Sequence, residues 1–192
     1  MAYTTAAAVK AWASIDNTTM DAALAVIIPQ VQAAIDRYCN RTFEASSDTT
    51  RYFDALRDVS DDYRTLYLDT DLCAITTVTN GDSTTVTSSQ YVSEPRNITP
   101  YYALTLKQSA TIAWTYDTTP ENAISITGKW AYSTSAPDDV VLAAIKWSLY
   151  LARGREADGG NEAMFTAAGF MVQPSAMPKD VKILLTPYRR LQ

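Results

Sequence analysis

Three pairs of closely spaced carboxylates are the residues in this sequence whose type and spacing could support chemistry. The pairs are Asp61 with Asp62, Asp69 with Asp71, and Asp138 with Asp139. Two carboxylates can hydrolyse a glycosidic bond, and the spacing Asp69-x-Asp71 could supply oxygen ligands to Ca²⁺. Each pair therefore has to be weighed against a structural explanation.

We favour the structural explanation for all three pairs. Asp61-Asp62 lies in a polar stretch typical of a solvated loop. Asp69-x-Asp71 lacks the remaining ligands of a calcium-binding loop. Asp138-Asp139 stands at a predicted helix start, where carboxylates interact favourably with the positive end of the helix dipole. The carboxylates therefore predict neither a catalytic nor a metal site.

The sequence contains no histidine, which removes the commonest acid–base catalyst and metal ligand. Nucleophilic catalysis of the Ser-His or Cys-His kind is therefore excluded. The two cysteines, Cys39 and Cys73, show no metal-ligand spacing and are expected to be reduced thiols. No glycine-rich phosphate-binding motif occurs. We predict a protein that is not an enzyme and binds no cofactor.

Charge and hydropathy narrow the possible partners of the chain. Its 192 residues carry a net charge of −5, which argues against a DNA-binding protein that grips phosphates through a basic face. The first residues lack the pattern of a signal peptide, and no apolar run reaches the ~18 residues that span a bilayer. We expect a soluble cytoplasmic product with no membrane partner.

Two helices are predicted at the N-terminus. The first covers residues 4–13, with Val9 and Trp12 on one face. The second covers residues 20–39 and ends at Asn40, which tolerates a left-handed conformation. One apolar stripe with helical spacing runs along the second helix through Leu24, Ile27, Ile28, Val31, Ile35 and Tyr38.

A threonine-rich β region follows. Most of its predicted strands alternate apolar residues with Thr or Ser, as half-buried strands do. These strands cover residues 50–53, 65–68, 75–78, 104–106, 112–114 and 124–127. Asn80-Gly81-Asp82 is the clearest hairpin turn.

The C-terminal part begins with a helix whose residues 140–152 are apolar on almost every side. Such a helix must be buried on every side, which predicts a central position. After a glycine-containing stretch, Val181, Leu184 and Leu185 form the apolar face of a short amphipathic helix. Tyr188-Arg189-Arg190 then ends the segment. Tyr and Arg are enriched at interface anchors, so we favour a docking segment over arginines that merely solubilise the chain.

Together these patterns predict an α+β protein. An N-terminal helix pair (residues 1–45) and a long C-terminal central helix (133–156) form a helical bundle. An antiparallel β module (46–132) is inserted between them. Residues 157–192 form an extended, loose C-terminal arm with the short amphipathic helix.

Five segments occur in an order that points to a family. They are Ala34–Phe43, Thr49–Asp54, Leu66–Leu72, Ile126–Tyr132 running into Pro137–Val140, and Pro178–Arg190. In this order they resemble the head-tail connector (adaptor) proteins of tailed bacteriophages over most of the chain. Ala131 is a departure, since the family commonly has glycine there, and the β region is long.

The resemblance implies a structural protein of the virion neck, made in the host cytoplasm. It implies a twelvefold ring of copies seated under the portal protein, extending the DNA channel and offering a platform to the next neck or tail protein. DNA would pass through the lumen without sequence-specific binding. Contact with the portal or a neighbouring subunit is expected from Val181, Leu184, Leu185, Tyr188, Arg189 and Arg190.

Two alternatives stay open. A carbohydrate- or surface-binding β module would fit an acidic chain rich in Tyr and Trp. It would need aromatic residues lining an exposed groove, for example Tyr101, Tyr102, Trp114 and Tyr116. Another neck ring, such as a stopper or tail terminator, is the second alternative. The helices on both sides of the β region argue against these mostly β proteins.

Overall fold

A computed structural model of the chain describes residues 2–157, 164–165, 171–172 and 177–190. These residues form an α+β protein with four α-helices and two three-stranded antiparallel sheets. The chain divides into two compact units. We call them the β unit (Arg41–Ser135) and the helical unit (Ala2–Asn40 with Ala136–Gln192).

The helices are α1 (Ala6–Trp12), α2 (Asp21–Cys39), α3 (Asp138–Ala157) and α4 (Lys179–Leu185), the last followed by a 3-10 turn (Thr186–Tyr188). The strands are β1 (Thr49–Phe53), β2 (Thr65–Leu72), β3 (Ala74–Thr79), β4 (Tyr91–Glu94), β5 (Tyr101–Leu106) and β6 (Ile124–Lys129). Two short strands, β7 (Met164–Phe165) and β8 (Met171–Val172), pair with each other in antiparallel fashion.

The apolar stripe of α2 forms part of the core of the helical unit. Five of its six predicted residues are buried, from Leu24 to Ile35, whereas Tyr38 is half-buried. Pro29 lies on the exposed side, and the helix continues through it. Asn40 ends the helix in the left-handed conformation (φ 52°), and its N–H donates to the carbonyl of Asp36. Helix α2 therefore ends at Asn40, as predicted from the sequence.

Helix α3 packs against all three other helices of its unit. Its buried residues include Val140, Ala143 and Ala152, but a strip along the helix stays partly exposed. The strip consists of Asp139, Leu142, Lys146, Tyr150 and Arg153. Burial on every side is thus not reached within one chain. In α1 only Val9 is buried, whereas Trp12 ends the helix and is exposed.

The β unit is built from two sheets, with strand orders β1-β6-β3 and β2-β5-β4. Alternate residues of β6 point into the core, and Ile124 and Ile126 are fully buried. The other face of β6 carries hydroxyl groups, and Thr127 lies opposite Thr50 with their Oγ1 atoms 2.8 Å apart. This alternation follows from the period-two geometry of a strand, and it explains the threonine-rich sequence.

Two strand predictions differ from the structure. Residues 112–114 are not a strand, and two of their carbonyls accept hydrogen bonds from side chains instead: Ile112 from Arg64 and Ala113 from Asn80, each at 2.9 Å. The Arg64 guanidinium donates to the carbonyls of Leu106, Lys107, Ala110 and Ile112. Trp114 is buried in the core, and its indole N–H donates to the carbonyl of Arg64 at 3.1 Å. Strand β4, half-buried along its length, carries no alternation and was not predicted.

Among the described residues, no helix combines the length and hydropathy that crossing a bilayer requires.

The predicted turn at Asn80-Gly81 is present, and it generates a stability prediction. A Cβ atom on Gly81 would lie 2.3 Å from the carbonyl oxygen of Thr115, so Gly81→Ala should lower the free energy of unfolding by about 1–3 kcal/mol. Ser83 in the same turn has φ 66°. Ser83→Gly should change it by less than about 1 kcal/mol, since relief of strain and added unfolded-state entropy oppose each other. Urea unfolding measures both, and equal effects would contradict the close contact at Gly81.

A second prediction concerns pH. The Tyr3 hydroxyl donates to Asp36 Oδ1 at 2.5 Å, yet burial outweighs this bond and raises the pKa of Asp36 above 3.8. Ionisation of Asp36 therefore opposes folding, and its contribution to stability declines as pH rises from 3.8 through the raised pKa. Asp36→Asn removes this titration, so its stability relative to the wild type should improve from acidic to neutral pH in pH-dependent urea unfolding. A constant difference would contradict the raised pKa.

Candidate functional site: the C-terminal helix and its surface

Helix α4 is held against its own unit by two fully buried side chains. Val181 and Leu185 lie four residues apart, on the same face of the helix, and both are 0% exposed. At the end of α2, the Cys39 thiol donates to the carbonyl of Leu185 with an Sγ–O distance of 3.8 Å. The apolar face predicted from the sequence is therefore used to fold the subunit itself.

Polar contacts join α4 and the turn after it to α3. Lys146 Nζ lies 2.9 Å from Asp180 Oδ2. The hydrogen bond from Lys146 lowers the pKa of Asp180, which keeps this carboxylate ionised. The Tyr188 hydroxyl donates to Asp139 Oδ2 at 3.3 Å. Lys146 and Asp139 both belong to the partly exposed strip of α3, so the C-terminal segment lies along that strip.

The last described residues are bound to the C-terminal end of α2. The Arg189 guanidinium lies 5.2 Å from the centroid of the Tyr38 ring, a cation–π contact. The backbone N–H of Arg190 donates to the carbonyl of Cys39 at 2.9 Å. Residues 177–190 were predicted as part of an extended arm, but they are folded back onto the helices. The predicted loose stretch between α3 and α4 lies mostly outside the described residues.

The exposed side of α4 carries a different set of residues from those predicted. Lys179, Lys182 and Ile183 are exposed, and Ile183 is 71% exposed. We call these three residues the outer face of α4. At 100° per residue, Lys179 and Ile183 lie opposite Val181 and Leu185, and Lys182 lies at the edge of that side. The exposed Asp180 also lies on that side, where it is paired with Lys146. Sequence reasoning missed Ile183 because it lies on the side of the helix opposite the predicted apolar face, where a single aliphatic residue forms no pattern.

The six predicted contact residues fall into two groups. Val181 and Leu185 lie inside the subunit, so they contribute to a surface only by holding α4 in position. Leu184, Tyr188 and Arg190 are half-buried, and Arg189 is exposed. These four side chains are accessible to another protein, and their role in docking stays a prediction.

Charge is distributed unequally between the two units. The helical unit contains nine basic and nine acidic residues, so its net charge is zero. The β unit contains seven basic and twelve acidic residues, so it carries the whole net charge of −5. The surface around α4 is basic, because the carboxylate of Asp180 is paired with Lys146 while Lys179 and Lys182 are exposed.

The carboxylate pairs have structural roles. Asp69 forms an ion pair with Arg51 (2.8 Å), and the buried Asp71 forms one with Arg41 (3.3 Å). Asp61 and Asp62 are exposed. Asp138 and Asp139 stand in the first turn of α3, as predicted. Within the described parts of the chain, no three metal-ligating side chains come together.

The carbohydrate-binding alternative requires aromatic side chains that line an exposed groove, and the structure does not place all four of the named residues at the surface. Trp114 is 1% exposed and belongs to the core of the β unit. Tyr101 is half-buried and packs against the same core. Tyr102 and Tyr116 remain exposed. The expectation of four surface aromatics in one groove was therefore wrong for Trp114.

Comparison with known proteins agrees with this architecture. The model of the head completion protein family matches residues 2–191. A chain in the neck of an empty gene transfer agent particle, computed with C6 symmetry, is 16% identical; the match covers 97% of this chain and 89% of that one, with a TM-score of 0.59. A chain in the virion of a native gene transfer agent particle is 17% identical over 90% of this chain and 79% of that one, with a TM-score of 0.52. At these identities the likeness shows a shared fold. No curated protein sequence matches the chain.

The orientation of α4 generates a prediction with a matched control. Leu185→Ala removes a fully buried side chain and should lower the free energy of unfolding by about 2–5 kcal/mol. Ile183→Ala, two residues away on the same helix, should change it by less than about 0.5 kcal/mol because Ile183 is exposed. Urea unfolding of both variants tests this. A larger loss for Ile183→Ala would mean that α4 presents its other face to the subunit.

Proposed function

The chain belongs to the head completion protein family, and we propose that it is a structural subunit of a ring in the neck of a phage-like particle, between head and tail. The observation that carries this proposal is the family match over residues 2–191, nearly the whole chain. The ring would extend the DNA channel below the portal and offer a platform to the next neck or tail protein.

A ring of identical copies requires surfaces on each subunit that a neighbour can cover. Three features support such surfaces: the partly exposed strip of α3, the exposed Trp12 and the outer face of α4. The fold is shared with a chain in a neck computed with C6 symmetry. A twelvefold ring is compatible with sixfold symmetry, and we propose that number of copies.

We propose that the C-terminal segment contacts the portal or a neighbouring subunit. The accessible side chains for this contact are Leu184, Tyr188, Arg189 and Arg190. Val181 and Leu185 would act indirectly, by fixing the position of α4 on α2 and α3. Because residues 177–190 are already folded on their own unit, docking would require little further ordering of this segment and would lose little entropy.

DNA would pass the ring without being held by it. A net charge of −5 repels a polyanion, and the acidic residues in excess all belong to the β unit. We propose that the chain makes no sequence-specific contact with DNA and performs no catalysis.

Particles assembled without this chain test the proposed function. We expect heads that contain DNA but lack tails in electron micrographs, because the next neck or tail protein has no platform. Expression of the wild-type chain in trans should restore tailed particles. Normal yields of tailed, infectious particles without the chain would contradict a role in the neck.

A further inference from the structure

The outer face of α4 combines an exposed apolar side chain with positive charge. An exposed aliphatic side chain, Ile183, is flanked by two lysines, Lys179 and Lys182. The adjacent acidic residue, Asp180, is paired with Lys146 and does not neutralise them. A partner that fits this face would offer an apolar contact surrounded by carboxylates.

The β unit of this same chain presents such a surface. Residues 54–62, which we call the acidic loop, contain four aspartates and one arginine. Within this loop Leu56 is 52% exposed. An exposed leucine among carboxylates is the counterpart of an exposed isoleucine between lysines.

The acidic loop is held in shape by its own carboxylates. Asp54 Oδ1 accepts hydrogen bonds from the backbone N–H groups of Leu56 (2.8 Å) and Arg57 (3.0 Å). Asp62 Oδ1 accepts from the Ser60 hydroxyl (2.5 Å) and from the N–H of Arg64 (3.1 Å). These bonds lower the pKa of both aspartates. The loop is thus a preformed negative surface with little order left to gain on binding.

We propose that the outer face of α4 in one copy docks on the acidic loop of the next copy in the ring. Ile183 would pack near Leu56, and Lys179 and Lys182 would face Asp61 and Asp62. The inference rests on the proposed function, since it needs a ring of identical chains. Two different surfaces of the subunit meet, so the contact is heterologous, as a closed ring requires.

Electrostatics favours this pairing over a contact between two β units. Two β units carry a net charge of −5 each and repel each other, whereas a helical unit of net charge zero does not repel a β unit. The basic outer face of α4 then adds a local attraction. Because both surfaces are exposed to solvent, the attraction should weaken as salt increases.

The test is a charge exchange in the full-length chain, followed by sedimentation velocity at low ionic strength over a range of protein concentrations. We expect the wild type to associate in a salt-dependent manner. The basic-face variant Lys179→Glu/Lys182→Glu and the loop variant Asp61→Lys/Asp62→Lys should each lose self-association by about tenfold or more. An equimolar mixture of the two variants should recover it, since each variant then offers the charge that the other lacks.

The control variants change the net charge by the same amount, but at exposed positions outside the proposed contact. Arg37→Glu/Arg96→Glu and Asp117→Lys/Glu121→Lys, all at exposed positions, should associate like the wild type and gain nothing on mixing. Circular dichroism monitors folding of every variant. Because Asp62→Lys removes loop hydrogen bonds, Asp61→Asn/Asp62→Asn serves as a second loop variant that neutralises the charge while retaining an acceptor oxygen.

Three outcomes would overturn the inference. They are a wild type that stays monomeric at low salt, basic-face and loop variants that associate as strongly as the wild type, or control variants that lose association and recover it on mixing to the same extent. None of these outcomes bears on the proposed function, which is judged by the tails of particles lacking the chain. Tailed particles without the chain would reject the neck role, even if the charge exchange succeeded.

Discussion

The burial of Val181 and Leu185 is the constraint on which the surface of this subunit depends. Once these two side chains are buried in the helical unit, the helical repeat determines which residues of α4 are exposed to solvent. Lys179 and Ile183 must then point outward, and the exposed Lys182 lies at the edge of the same face. The ion pair of Asp180 with Lys146 and the hydrogen bond of Tyr188 to Asp139 secure the same orientation from the side of α3.

The sequence predicted the elements whose physical signal is local. The stripe of α2 has the 3.6-residue period over about four turns, and Asn40 marks the end of the helix by its tolerance of positive φ. The strands around Tyr52, Leu66 and Ile126 alternate as half-buried strands must. The sequence could not reveal that residues 112–114 lack strand pairing, because two of their carbonyls accept hydrogen bonds from side chains distant in sequence, those of Arg64 and Asn80.

Two of the six side chains predicted for docking are used inside the subunit itself. An amphipathic pattern indicates that a face is buried, but it does not say whether the burying surface belongs to the same chain or to a partner. For Val181 and Leu185 it belongs to the same chain. The same ambiguity affects α3, whose apolar residues 140–152 indicate burial on every side, while one chain leaves a strip of α3 partly exposed.

We propose that the subunit is a neck component whose α4 outer face is covered by the neighbouring copy. The decisive measurement is a cryo-electron microscopy reconstruction of the neck of particles carrying this chain. We expect a ring of copies between head and tail in which Ile183 of one subunit contacts the 54–62 loop of the next. A reconstruction in which Ile183 remains open to solvent, or in which the chain is absent from the neck, would contradict it.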